Sequence, residues 1–145
     1  MSFYYDLKKN FQFEKYLDNV ARCDRKAITK LRLSCHALPI EQMRYQKVDK
    51  AERKCSICSV EEVGDEWHYL SKCQNENIST TRLAFVDKIT TINLQLKDFN
   101  PDDLMKYCMT MNDTLIQTES ALFVKNMLNA YSEAKLEEEG TCSLM

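Results

Sequence analysis

Four residues in the stretch "KCSICSVEEVGDEWHYLSKC", residues 54–73, have side chains and spacing that could hold a metal. Cys55, Cys58, His68 and Cys73 follow the pattern C-x2-C-x9-H-x4-C, and this chain has only one other histidine, His36. A C-x2-C pair lets two thiolates converge on one ion from a tight turn, with nearby backbone N–H groups pointing at the sulfurs. His68 and Cys73, about one helical turn plus one residue apart, can reach the same point from the start of a helix. Three thiolates and one imidazole form a closed tetrahedral set suited to structural Zn²⁺, with no position left for an activated water. Arg53 and Lys54 would offset the local negative charge, Gly64-Asp65 supplies a turn, and Asp65 can cap the helix that presents His68. The competing reading is a set of small buried thiols beside a core histidine. Cys23, Cys35 and Cys108 fall on or near apolar helix faces and read as small hydrophobes, and His36 reads as a cap or core residue.

The elements that must position these residues are helical. Apolar residues make up 44% of 145 positions, enough for a core, while two glycines and two prolines are too few for a turn-rich β fold. The periodicity predicts a helix over 10–22 with Phe13, Tyr16, Leu17 and Val20 on one face. A second begins at Asp24, carries Ile28, Leu31 and Cys35, and stops before Pro39. Residues 40–54 read as at most one turn, from Glu41 to Tyr45, followed by loop. Ser79 caps a helix with Leu83, Val86, Ile89 and Ile92; Asn100-Pro101 starts another; Asp113 or Thr114 opens a long one carrying Ser120, Phe123, Val124, Met127 and Tyr131. The expected fold is mostly α, a helical domain with a small Cys3His zinc knuckle or hairpin inserted between helices. Residues 1–78 would hold the first helices, a basic loop and the zinc module. Residues 79–145 would form a helical segment ending in a disordered acidic tail, the two parts making one compact unit.

Charge is distributed unevenly. Residues 1–60 carry 13 Lys/Arg against 7 Asp/Glu, and residues 61–145 carry 7 against 15. A basic surface of Arg25, Lys26, Lys30, Arg32, Arg44, Lys47, Lys50, Arg53 and Lys54 suits nucleic-acid phosphates, bound with weak sequence specificity and strong salt dependence. Tyr45 and Trp67 are candidate stacking platforms for unpaired bases. The alternative is a protein-interaction or purely structural module, with the acidic half repelling nucleic acid and Met105, Met109, Met111 and Met127 as a partner surface. No Gly-rich phosphate loop or polymerase-type Asp pair is found, and Asp102-Asp103 reads as helix capping, so neither an enzyme nor a small-molecule substrate is expected. With no long apolar run and no secretory-type leader, the chain is expected in a reducing intracellular compartment, nucleus or cytoplasm, and not at a membrane. One signal opposes this. The terminal "CSLM" fits a prenylation box at Cys142, though the acidic residues before it supply no second membrane signal.

The run "AITKLRLSCHALPIEQMRYQKVDKAERKCSICSVEEVGDEWHYLSKC" resembles the C-terminal segment of non-LTR retrotransposon polyproteins, downstream of the reverse transcriptase. The resemblance covers about residues 10–75. It rests on Thr29, Lys30, Arg32, Ser34, His36, Leu38, Ile40, Glu41, Arg44, Tyr45, Glu52, Arg53, Cys55, Cys58, Asp65, Glu66, His68, Leu70 and Cys73. Met43 replaces a common glycine and Tyr69 a frequent phenylalanine. The resemblance implies a zinc-binding tail that lacks the polymerase and endonuclease portions, a fragment or domesticated remnant whose partners would be nucleic acid and retroelement proteins.

Overall fold

The computed structural model describes residues 2–8 and 13–142. Its longest element, α7 (Thr114–Cys142), places Ile116, Ser120, Phe123, Val124, Met127, Tyr131 and Ala134 on one buried stripe at three- and four-residue intervals. Two helices pack along that stripe, α3 (Arg22–Arg32) through Ile28 and Leu31, and α5 (Glu76–Ile92) through Ile78, Phe85 and Ile89. Phe85 stacks on Phe123 with ring centroids 4.5 Å apart. Shorter helices close the ends: α1 (Ser2–Leu7), α2 (Tyr16–Asn19), α4 (Pro39–Tyr45) and α6 (Pro101–Thr110). One hydrophobic cluster takes residues from all but α4 and joins residues before and after position 78. The fold is mostly α, no strand occurs among the described residues, and the Cys3His cluster lies between α4 and α5. No described helix is long and apolar enough to cross a membrane.

Several predicted boundaries move, each for a local reason. Within the described part of 10–22 the chain is helical only at Tyr16–Asn19 and at Arg22, where α3 begins. Tyr16 and Val20 are buried but Phe13 is exposed, and a single turn persists here only through its tertiary anchors. α3 starts at Arg22, two residues before Asp24, whose carboxylate accepts from Lys125 instead. Cys35 lies beyond the end of α3 and is exposed, as is Cys23; only Cys108 is buried. The N-cap of α5 is Asn75, not Ser79, because its side chain accepts from the Asn77 and Ile78 N–H groups. Leu83 and Ile92 face solvent, and the buried stripe of α5 runs instead through Ile78, Phe85 and Ile89. The Asn100-Pro101 start of α6 and the Asp113 cap of α7 are as the sequence predicts. α7 stays helical through Glu137–Glu139, where the sequence predicts a disordered tail, since Ala, Lys, Leu and Glu are all strong helix formers. The described residues stop at Cys142; its side chain and residues 143–145 lie outside them, and with them the prenylation box.

Two helices end in the same way. After α3, Cys35 N–H bonds Lys30 C=O and Ser34 N–H bonds Leu31 C=O, with Ser34 at φ 57. After α4, Val48 N–H bonds Met43 C=O and Lys47 N–H bonds Arg44 C=O, with Lys47 at φ 60. Both are Schellman closures, and both place a non-glycine residue in the left-handed region that glycine or asparagine usually occupies.

The methionines are chiefly core. Met105, Met109 and Met127 are buried, whereas Met111 is partly exposed. Met127→Ala should therefore lower unfolding free energy by about 2–5 kcal/mol, and Met111→Ala should change it by less than about 0.5 kcal/mol. Urea titrations with an unchanged m value check both.

Candidate metal centre

The chain approaches the centre through a hairpin that has one isolated antiparallel bridge, between Lys54 and Val63. Cys55 N–H donates to Glu62 C=O at 2.9 Å and Gly64 N–H to Arg53 C=O at 2.8 Å, which clamps the Cys55–Cys58 turn. Gly64 then lies against α4, where its carbonyl accepts from Ile40 N–H at 3.1 Å. Asp65 Oδ1 accepts from His68 N–H at 2.8 Å and opens a short helical segment, as its position in the sequence predicts. That segment becomes a π turn over His68–Lys72, closed by Cys73 N–H on His68 C=O at 2.7 Å. The widened turn explains the x4 spacing. In an α-helix residues five apart sit roughly 140° around the axis, and the i→i+5 ring brings them back toward one side.

Cys55, Cys58, His68 and Cys73 thus converge, with all four donor atoms within 4.8 Å of one another, a set that can hold a metal ion. Cys55 Sγ and Cys73 Sγ are 4.0 Å apart, and Cys58 Sγ is 3.5 Å from His68 Nε2. Cys55, His68 and Cys73 are buried and Cys58 half-buried. His68 Nδ1 faces Glu62 Oε2 at 3.3 Å, so the Nδ1–H tautomer donates there and leaves the Nε2 lone pair for the ion. The Ile57 and Asn75 N–H groups donate to the Cys55 and Cys73 sulfurs, each from two residues downstream. The Tyr69 hydroxyl donates to Cys55 Sγ at 3.0 Å; burial and that bond raise its pKa and keep it a neutral donor. Hydrogen bonding from Cys73 holds the Cys55 thiol down at about 3 against burial, with His68 and Tyr69 adding to the effect. The same contact, together with burial, holds Cys73 up. Ligation of an ion by these sulfurs would displace thiol protons.

Three residues that the sequence reading did not assign complete the centre. Arg82 of α5 donates to the carbonyls of Tyr69, Leu70 and Cys73 at 2.9–3.0 Å, satisfying the end of the π turn. Glu62 orients His68. Buried Glu66 accepts from His36 Nε2 at 2.9 Å and from Ser34 Oγ at 3.4 Å. Because His36 Nδ1 accepts from Leu38 N–H, its Nε2 carries the proton, and the residue braces the α3–α4 turn against the centre without being a ligand. A lone arginine in an otherwise mixed helix is the one sequence signal that could have pointed to Arg82.

The basic residues divide. Lys26, Lys30, Lys47, Lys50 and Lys54 are exposed and Arg25 is half-buried. Arg32 is no surface contact: it is 5% exposed, donates to Met109 C=O at 2.8 Å, pairs with Glu14 and covers the Tyr16 ring. Arg53 is engaged inside the loop, donating to Val48 C=O at 2.9 Å and Ile40 C=O at 3.2 Å. Arg44 pairs with buried Glu41 at 2.7 Å, and Lys54 with Glu61 at 3.8 Å. Trp67 packs edge-on against Phe3 at 4.9 Å and donates to Asp6, so it is not an open platform, while Tyr45 is exposed. The cap of α6 is Asn100, whose Oδ1 accepts from Asp103 N–H and whose Nδ2 donates to Asp103 Oδ2, while Asp102 accepts from Ser71; the acidic pair lies in the first turn, and neither carboxylate is itself the cap.

No protein-family model, curated protein or solved structure matches the chain.

Gly64 is the tightest point of the centre: an added Cβ would lie 2.9 Å from Pro39 Cγ and 3.1 Å from the Tyr69 hydroxyl that bonds Cys55. Gly64→Ala should cost about 1–3 kcal/mol of stability in the metal-loaded protein. Gly140→Ala, with nothing within 4 Å of the new Cβ, should cost nothing or stabilise by up to about 1 kcal/mol. Paired chemical-denaturation curves distinguish the two.

Proposed function

We propose that the chain is a non-catalytic structural-zinc module that binds nucleic acid through its basic half, and that it derives from the C-terminal part of a retroelement polyprotein. The donor geometry carries the zinc reading. With Zn–S near 2.3 Å and Zn–N near 2.0–2.1 Å, a tetrahedral site has S···S edges of about 3.8 Å and S···N edges of about 3.5 Å. The Cys55–Cys73 edge is 4.0 Å and the Cys58–His68 edge 3.5 Å, and all the donor atoms lie within 4.8 Å of one another. A fourth protein donor closes the sphere, which favours a structural ion over one that activates water.

Exposed lysines on α3 and on the loop after α4 support the nucleic-acid reading. Contacts of this kind would be chiefly with phosphate. The retroelement reading draws support from the role of the residues that carry the resemblance. Ser34, His36 and Glu66 form one buried bridge, Glu41 pairs with Arg44, Arg53 ties the loop, Ile40 is buried, and Leu38 and Leu70 share the core cluster with Cys55 and Cys73. The pattern therefore describes a single physical unit. The competing reading of a methionine-rich partner surface loses support, because three of those four methionines lie in the core.

Elemental analysis of purified protein should give one zinc per chain, and Cys55→Ser should abolish stoichiometric binding. A strong chelator should lower the far-ultraviolet helical signal, since binding and folding are linked. Anisotropy titrations at low salt should show nucleic-acid binding that weakens steeply with added salt. Replacing Lys26, Lys30, Lys47 and Lys50 by Ala should abolish most of it, whereas Arg32→Ala should act by destabilising the fold. Retained affinity in the quadruple variant would refute the nucleic-acid reading and leave the zinc reading intact.

A further inference from the structure

Tyr45, at the end of α4, is the most exposed large apolar side chain among the described residues, at 72%. Its position is nevertheless defined. The Arg44 guanidinium lies 5.0 Å from its ring centroid and donates to its hydroxyl at 3.4 Å. Arg44 is itself fixed by Glu41, whose Oε2 accepts from Nε at 2.8 Å and pairs with Nη2 at 2.7 Å, and Glu41 is buried. A buried carboxylate thus holds a guanidinium, and the guanidinium braces an aromatic ring whose surface remains open. The ring's exposure means that the fold gains little from it.

The surroundings of the ring supply charge. Lys47, two residues on, adopts the left-handed backbone of the Schellman closure and is exposed; Lys50 is exposed in the same loop. The acids of this loop are Asp49 and Glu52, both exposed, against Lys47, Lys50, Arg53 and Lys54, of which Lys54 faces Glu61. Arg53 bonds Val48 C=O and Ile40 C=O and so ties the lysine-bearing segment to the helix that presents the ring. An aromatic face set in advance, with exposed cations two and five residues further along the chain, fits a nucleotide whose base is unpaired: the base would stack on the ring and the adjoining phosphates would meet the lysines. Bases inside a duplex are already stacked on one another and offer no free face. Setting the ring before binding also reduces the ordering cost of the contact.

We propose that Arg44-braced Tyr45 is a stacking platform that makes this module select single-stranded over double-stranded nucleic acid. The proposal rests on the nucleic-acid reading above and adds strand selectivity to it. The test is fluorescence anisotropy on the full, zinc-loaded chain, with labelled oligo(U), oligo(dT) and a duplex of equal length, each about 12 nucleotides. Wild type should prefer both single strands. Tyr45→Ala should lose about tenfold or more in single-strand affinity, with duplex affinity and salt slope unchanged, and Tyr45→Trp should restore the preference. Lys47→Ala with Lys50→Ala should weaken all three ligands and reduce the salt slope by about 2. Unchanged single-strand affinity in Tyr45→Ala overturns the platform while leaving the nucleic-acid reading in place, as does equal loss on single strand and duplex. Absence of binding by wild type to any of the three overturns both. Zinc content and circular dichroism of each variant confirm that the comparison is between folded proteins.

Discussion

The structure turns on bringing His68 and Cys73 to one point from a single stretch of helix. An α-helical path would separate them around the axis, so the chain takes a π turn closed by the bond from Cys73 N–H to His68 C=O. A π turn is a costly conformation, and its neighbours compensate for it. Asp65 caps its approach, Arg82 takes three carbonyls at its end, and buried Tyr69 and Leu70 anchor it in the core. The hairpin carrying Cys55 and Cys58 must then return to meet it, which it does across Gly64, where only a hydrogen fits between Pro39 and Tyr69. The four-donor centre and the hydrophobic core are coupled through Tyr69: its hydroxyl bonds Cys55, and its ring sits at 5.2 Å from Tyr131 of α7. Distortion of the centre is therefore felt by the longest helix.

The helix α4 is attached to this centre by polar bridges more than by apolar area. α4 contributes nothing to the main hydrophobic cluster, although Pro39 and Ile40 are buried. Its position comes from the Ile40–Gly64 backbone bond, from Arg53 reaching Ile40 C=O, and from the His36–Glu66–Ser34 bridge. Hydrogen bonds of this sort contribute modestly when made and cost more when one partner is removed while buried. Ser34 illustrates the coupling. Its left-handed backbone closes α3 and would suit glycine, yet its hydroxyl bonds Glu66, so a glycine there would ease the turn and lose the bridge.

Much of the centre was legible in the chain because thiols and imidazole at fixed spacing carry their own chemistry. Asp65 and the Asn100-Pro101 start were legible for the same reason: each acts within its own turn. The rest depends on distant partners. Ser79 is a plausible cap, but Asn75 won because it precedes the stretch that buries Ile78 against the knuckle and α7. The predicted helix over 10–22 shrank to one turn where Tyr16 and Val20 find core partners and Phe13 does not. Periodicity reports which residues share a face and not which face will be covered. The acidic tail is the converse case: local propensity keeps it helical without burial.

The division of the basic residues follows from side-chain chemistry and changes what the charge asymmetry means. Arg32, Arg53 and Arg82 all serve backbone carbonyls inside the molecule, where a planar fork with five donors can serve two or three acceptors at once. The lysines, compact and strongly hydrated, are the residues left outside. A count of positive charge along the sequence thus overstates the charge that a partner would meet, since two of nine candidate contacts are framework. It also changes the kind of recognition to expect. Bidentate reading of base edges is largely an arginine property, whereas lysine acts as a point charge on phosphate. Five of the seven candidate contacts outside the framework are lysines, and Arg44 is held by Glu41; such a surface, with one braced aromatic on it, is better suited to follow a backbone and stack a base than to read a sequence.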